Sequence, residues 1–244
     1  MNDVLTIVWK ELKELWNVRA SGRGRALNYI PILLVFGVLL PLQQRDLWVY
    51  GPVAGVFIMI LPVILAGGVV ADSFAGERER HTLETLLASR LSDRDIYLGK
   101  VVACVAYCLA LAWVSALVSL VTLNVTRGAA PLFFFGADAL ALSVIGGVLL
   151  CVMTAGIGVF VSLRAPTVRA AAQVFSLATV LIFVGGPFLL RALPSSAWSW
   201  ISGTLDQTEP LMLGVAGAAA ILVVDVLLLT TGIARFQRRR LILE

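Results

Sequence analysis

Residues 101–125 and 139–163 each run for twenty-five positions without one acidic or basic side chain, and residues 48–71 for twenty-four. A helix needs about 20 apolar residues to cross the hydrocarbon of a bilayer. There each backbone N–H and C=O must be satisfied within the segment, so stretches of this kind fold as helices. Three further runs follow the same logic. Residues 26–42 form the shortest, with Pro31 and Pro41 near its ends; 170–190 has Gln173 as its main polar interruption; 211–234 carries one charge, Asp225. The chain has 244 residues, 59% of them hydrophobic and 14% charged, where a soluble domain carries about 25% charged. The expectation is an all-α membrane protein with six transmembrane helices, and a soluble α/β domain is excluded.

Residues 1–25 read as an amphipathic interfacial helix followed by a basic linker, and 26–244 as a single six-span domain. Leu5, Val8, Trp9, Leu12, Leu15 and Trp16 recur at helical spacing, with Lys10, Glu11, Lys13, Glu14 and Asn17 opposite them. Such a helix lies in the membrane interface or packs on protein, and both readings are open. Gly22 and Gly24 interrupt it among Arg19, Arg23 and Arg25. No short apolar segment with a small-residue cleavage site opens the chain, so no cleavable signal peptide is expected.

Orientation follows from Lys and Arg in the short flanks of the spans. Sixteen of the nineteen lie on one side: Lys10, Lys13, Arg19, Arg23, Arg25, Arg78, Arg80, Arg90, Arg94, Lys100, Arg164, Arg169, Arg235, Arg238, Arg239 and Arg240. The other side holds Arg45, Arg127 and Arg191. Both termini and the charged stretch 72–100 are therefore expected in the cytoplasm of a multi-pass protein of the cell (inner) membrane. The same asymmetry accounts for the net charge of +4, so no nucleic-acid partner is expected. The run Arg238, Arg239 and Arg240 suits the anionic leaflet surface.

The stretch 72–100 is the one large hydrophilic insert between spans. It is far longer than the 2–8 residues of a usual helix–helix connection. Residues 77–90 form helices readily, with Leu83, Leu86, Leu87 and Leu91 as a narrow apolar stripe, and Thr82 or Ala88–Ser89 as local ends. Ser92 followed by Asp95 is a capping box that starts the helix leading into the third span. Gly99–Lys100 is the only GK pair and lacks the glycine five residues before it, so this chain has no phosphate-binding loop. There is no GxSxG, His81 is the only histidine, and Cys104, Cys108 and Cys151 all fall within apolar runs. Catalysis, a zinc site and a disulfide are accordingly not expected.

The segment FAGERERHTLETLLASRLSDRDIYLGK closely resembles the stretch after the second span in type-2 ABC transporter permeases. The match is carried by Phe74, Glu77, Arg78, Glu79, Thr82, Leu83, Glu84, Leu86, Leu87, Ser89, Leu91, Ser92, Asp95, Ile96, Gly99 and Lys100. It departs at His81, where the family usually has glycine, and at Arg90, often proline. Residues 9–15, WKELKEL, resemble the family's amphipathic helix before the first span. The resemblance implies an exporter subunit paired with a second copy of itself or a related permease, and with two cytoplasmic ABC ATPase subunits. ATP and Mg would be bound by those partners, with no cofactor on this chain. It also implies that 72–100 is the coupling helix, with Glu77, Arg78, Glu79, Arg80, Thr82 and Glu84 in ATPase docking and internal ion pairs, and that the loop carrying Arg164 and Arg169 is a second contact. A pathway with almost no fixed charge favours hydrophobic or amphipathic cargo.

Asp225 is the polar exception inside a span, where a charge is costly and usually faces protein or water. It either lines the pathway, alone or with Gln173 or an arginine, or is a protonated carboxyl bonded to a neighbouring helix. The alternative function is a secondary transporter or channel with Asp225 as its ion or proton site, and a third is a membrane scaffold holding a soluble enzyme. Trp198 and Trp200 in the 191–210 loop suit an interfacial or re-entrant helix or an aromatic-anchored loop. Gly67, Gly68, Gly146, Gly147, Gly156 and Gly158 are expected to allow close helix packing.

Overall fold

The structure is a computed structural model and describes residues 2–20, 30–50, 53–82, 84, 86, 88–128, 131–181, 185, 188, 191, 193–195 and 210–236. Arg23 and Arg25, Leu83 and Leu87, Trp198 and Trp200, and Arg238, Arg239 and Arg240 lie outside the described residues. Among the described residues every regular element is a helix. In chain order these are α1 (Asn2–Ala20), α2 (Ile30–Gln43, with a π turn over Val35–Leu39), α3 (Arg45–Tyr50), α4 (Val53–Glu79) and α5 (Asp93–Arg127). They continue with α6 (Ala137–Ala141, a π turn Leu142–Gly146, then Gly147–Arg164), α7 (Val168–Val180) and α8 (Pro210–Arg235).

Among the described residues four helices are long and apolar enough to cross a membrane: α4, α5, the Ser143–Arg164 part of α6 and the Gly214–Ala234 part of α8. α2 and α7 are shorter apolar helices at the places of the first and fifth expected spans. The 27 residues of α4 and 35 of α5 give lengths of about 40 and 52 Å, against a hydrocarbon core of about 30 Å. The excess of both helices carries the charged stretch. α4 passes the expected end of its span at residue 71 and runs to Glu79, because DSFAGERE contains no helix-breaking proline and its charges find partners in the protein or reach water. Trp48, expected to open this span, belongs to α3 and is buried against Phe57 of α4, ring centroids 5.2 Å apart.

α4 is the central helix and packs on α5, α6 and α7, with α8 against α6. Val70, Phe74, Tyr97, Cys108, Cys151, Ala155 and Val159 form the middle of the core. All three cysteines are buried and none is in a disulfide. α5 begins as its sequence requires: Ser92 is the N-cap and its Oγ accepts from Asp95 N at 3.2 Å. At its other end Asn124 closes the return of the chain, accepting from Phe133 N at 2.7 Å and donating to Phe133 O at 3.0 Å.

α1 packs on protein with one side and leaves the other side exposed. Ile7 and Glu11 are buried against α5 and Leu15 packs on the core, whereas Leu5 and Trp9 are exposed. Positions 7, 11 and 15 share one helix face, and 5 and 9 lie roughly opposite at 3.6 residues per turn.

The expected helix over 77–90 is divided. Residues 77–79 end α4, the chain turns at Arg80–His81, and Leu86 N to Thr82 O (3.1 Å) and Ala88 N to Glu84 O (2.9 Å) make a separate helical turn. Leu86 is buried and Leu91 packs on the core, so the part of the leucine stripe that is described faces the bundle. His81 makes the break with φ +56°, in the left-handed region that favours glycine. His81→Gly is expected to raise the melting midpoint in detergent by relieving backbone strain of about 1 kcal/mol. His81→Val, with β-branching at the same φ, is expected to lower it.

Candidate coupling interface

Three charges are inside the protein. Glu77 and Lys100 are each 2% exposed and Glu11 is 9% exposed. Each lies on the buried face of its helix: Glu77 follows Val70 and Phe74 at i+7 and i+3, Lys100 follows Ile96 and Tyr97 at i+4 and i+3, and Glu11 follows Ile7 at i+4. Lys100 Nζ donates to Glu11 Oε1 at 2.9 Å, Glu77 Oε1 at 3.1 Å and Ser73 O at 2.7 Å, using all three donors of an ammonium. The Phe74 ring lies beneath it, 4.9 Å from Nζ to centroid. One lysine of α5 thus joins α1 to the end of α4. Gly99 beside it lets α1 approach, since a Cβ there would be 2.6 Å from Ile7 Cγ2.

Lys10 closes the cluster from the half-exposed side, with Nζ 3.2 Å from Glu77 Oε1, 3.5 Å from Glu14 Oε1 and 3.8 Å from Glu11 Oε1. Burial alone would lower its pKa, but the carboxylates of Glu77, Glu11 and Glu14 outweigh this and raise it. A raised lysine contributes fully below its ordinary titration range and loses that contribution only as pH climbs through the raised value, so the contribution of Lys10 is fully present at neutral pH. Glu11, Glu14 and Glu77 bring carboxylate oxygens within 4.8 Å of one another, an arrangement that could hold a metal ion. Their Oε1 atoms are engaged by Lys10 and Lys100, so two ammonium groups already supply the positive charge.

The next residues of α4 turn to the other side. Arg78 donates through Nη2 to Leu163 O at 2.9 Å and through Nη1 to Ala165 O, at the C-terminal end of α6. Glu79 Oε1 accepts from Val168 N at 2.9 Å, at the start of α7, where Thr167 also caps Ala170 N at 3.1 Å. Cation on C-terminus and anion on N-terminus is the favourable sense for both helix dipoles. Ser162 on α6 is fully buried; its Oγ accepts from Phe74 N (3.1 Å) and Ala75 N (3.0 Å) and donates to Ala71 O (3.1 Å).

Of the residues singled out in the sequence, Glu77 and Arg78 form internal contacts, and Arg80 pairs with Asp72 at 3.1 Å while remaining accessible. Glu79, Arg80, Thr82, Glu84, Arg164 and Arg169 are exposed. The last two flank a turn that Arg78 and Glu79 hold next to the end of α4. A cavity of about 640 Å³ opens between α1, α4 and α5, with Glu14, Asp72, Arg80, Leu86 and Leu91 in its wall. Lys100, Glu11 and Ser162 were not picked out from sequence. The first two carried a signal, a charge on an apolar helix face, whereas Ser162 carried none because its partners are backbone groups.

Asp225 lies away from this cluster in α8 and is 3% exposed. Neither carboxylate oxygen has a hydrogen-bond partner among the described residues, and Gln173 is exposed on α7.

The described helices define an all-helical membrane protein. The family model described as ABC-2 type transporter matches residues 2–206. The chain belongs to the ABC-2 type transporter family. No match was found among curated proteins or among solved structures.

Proposed function

We propose that this chain is the permease subunit of an ATP-driven exporter and that separate ATPase subunits grip it through the 72–100 segment. The observation that carries this reading is the buried Lys100–Glu77–Glu11 junction beneath a rim of exposed charges. Force applied to Thr82, Glu84 or Arg90 reaches α1, α4 and α5 together, because a single ammonium ties the three. The docking surface then consists of Glu79, Arg80, Thr82, Glu84, Arg164 and Arg169, with Glu77 and Arg78 holding it from within. α2 and α7 mark the first and fifth of six spans, and the excess of Lys and Arg puts this end and both termini in the cytoplasm. Two copies of this chain, or this chain and a related permease, work with two ATPases that bind ATP and Mg. The pathway between permeases, poor in fixed charge, suits hydrophobic or amphipathic cargo.

Capture of the ATPase by the tagged permease from detergent extracts tests the reading. Glu84→Lys combined with Arg90→Glu, both at exposed positions, is expected to reduce capture roughly tenfold or more, since like charges across an interface cost several kcal/mol. The melting midpoint of the permease alone is expected to stay unchanged. Undiminished capture would remove the segment from the interface.

One observation favours a second reading: a buried carboxyl whose oxygens have no donor among the described residues is also what an ion- or proton-driven carrier uses. Asp225→Asn separates the two. For the ATP-driven exporter, efflux of a fluorescent amphipathic dye from vesicles is expected to follow ATP hydrolysis in both proteins. Dye efflux driven by a proton gradient without any ATPase, and lost in Asp225→Asn, would establish the carrier instead.

A further inference from the structure

We propose that Ser162 is a positioning residue which, with Arg78 and Glu79, fastens the charged end of α4 to the α6–α7 turn, so that the two docking sites move as one rigid body. The inference rests on the coupling reading above and adds how the two contacts share a load.

A serine hydroxyl has one proton to donate and two lone pairs to accept with, and Ser162 uses all three on the backbone of α4. In a regular helix the N–H groups of residues 74 and 75 serve the carbonyls of 70 and 71. Here both also donate to Ser162 Oγ, which itself donates to Ala71 O, while Val70 O receives the Ser73 hydroxyl at 2.7 Å. A side chain of α6 is thereby inserted against the backbone of α4. Any slide or rotation of one helix against the other breaks the three hydrogen bonds of a buried hydroxyl and leaves it short of partners, at a cost comparable to lost hydrogen bonds.

Around this point the contact is short and stiff. Ala71 and Ala75 of α4 meet Ala165 and Ala171 in one small cluster, and alanine has no rotamers with which to absorb a displacement. One turn further on, Arg78 binds the last carbonyls of α6 and Glu79 binds the first N–H of α7. Between Ala71 and Glu79 the outer face of α4 is therefore bonded to the α6–α7 turn at three successive levels. A displacement of the turn that carries Arg164 and Arg169 must reach the rim that carries Arg80 and Thr82, and the reverse.

The experiment uses the complete permease–ATPase complex, with nitroxide labels at the exposed positions Thr82 and Pro166 (Thr82→Cys, Pro166→Cys) and pulsed electron spin resonance distances in the nucleotide-free and ATP-trapped states. The expected result is one narrow distance that is the same in both states. In Ser162→Ala with Arg78→Gln the distance is expected to differ between states, and the ATP hydrolysed per molecule of amphipathic dye exported to rise at least about tenfold, the equivalent of some 1.4 kcal/mol of lost coupling. Ser162→Thr, which keeps the hydroxyl, is expected to restore more of that ratio than Ser162→Cys, because a thiol is a weak donor and acceptor. A distance that changes with nucleotide in the unsubstituted complex overturns the rigid body even where the Ser162 variants fail to fold. So does an unchanged distance and ratio in Ser162→Ala with Arg78→Gln. Absence of any captured ATPase overturns the coupling reading itself, and is distinguished by being seen before any distance is measured.

Discussion

Lys100→Met is expected to be among the most destabilising single substitutions of a charged residue in the protein, by about 3–5 kcal/mol, the usual cost of stranding one side of a buried ion pair. Methionine replaces most of the lysine stem, so the loss is not one of volume. It falls on Glu77 and Glu11, which lose donors at 3.1 and 2.9 Å, and on Ser73 O, which loses one at 2.7 Å. Lys10 cannot take over, since its Nζ is 3.8 Å from Glu11 Oε1 and already divided among three carboxylates. Glu77→Gln is expected to cost less, because Lys100 keeps Glu11 and the Ser73 carbonyl. Lys100→Arg is expected not to rescue: three partners in different directions suit a compact ammonium, whereas a guanidinium presents its donors in a planar fork. Combining Lys100→Met with Glu77→Met should recover much of the stability, as apolar replacement of a whole buried pair often does. Melting midpoints in detergent, followed by gel filtration of the heated protein, read all four. If Lys100→Met melts with the unsubstituted protein, the junction contributes nothing to holding α1 and α4 on α5.

The parts of the molecule legible in sequence are those governed by one-dimensional rules. Uncharged runs of span length became α4, α5 and most of α6, and Ser92 with Asp95 became the cap of α5 as the motif requires. The charged stretch was recognisable as a hydrophilic segment, and Thr82, Glu84 and Arg90 are exposed. Glu77 was grouped with its exposed neighbours for docking and internal ion pairs because a run of alternating charges does not by itself say which member is buried. Its register against Val70 and Phe74 carried the contrary signal, and the same reading applied to Lys100 and Glu11 would have joined all three. The glycines expected to pack closely divide in two for a similar reason: a Cβ on Gly67 would meet Phe175 at 2.5 Å, whereas one on Gly68 would meet nothing within 4 Å. Composition cannot say which of two adjacent glycines faces a neighbour. The π turns of α2 and α6 and the insertion of Ser162 depend on helices far apart in sequence and leave no local trace.

The same distinction yields the second large effect. A Cβ on Gly158 would be 2.3 Å from Val70 Cγ1 and 2.9 Å from Val70 Cβ. Val70 cannot swing away, because a β-branched side chain in a helix is held to one strongly preferred χ1 rotamer and this one is fully buried in the core. Gly158→Ala must therefore push α6 from α4, at a cost of about 1–3 kcal/mol, despite alanine's better helix propensity. Gly68→Ala, with open space at the same kind of helical position, is expected to be neutral or to gain up to about 1 kcal/mol from that propensity. Val70→Ala removes the methyl at 2.3 Å and leaves the Cβ contact at 2.9 Å. Alone it opens a cavity and destabilises, but in combination with Gly158→Ala the second substitution should be compensated in part by the first, a non-additivity that a double-mutant cycle on melting midpoints measures directly. Additive midpoints would mean that the two helices relax apart elsewhere. The consequence reaches the charged end, because Ser162 follows Gly158 by one turn on the same face of α6. Separating the helices at Gly158 draws the Ser162 hydroxyl from Phe74 and Ala75, so Gly158→Ala should weaken the fastening of α4 to the α6–α7 turn, and Val70→Ala should restore stability and fastening together in part.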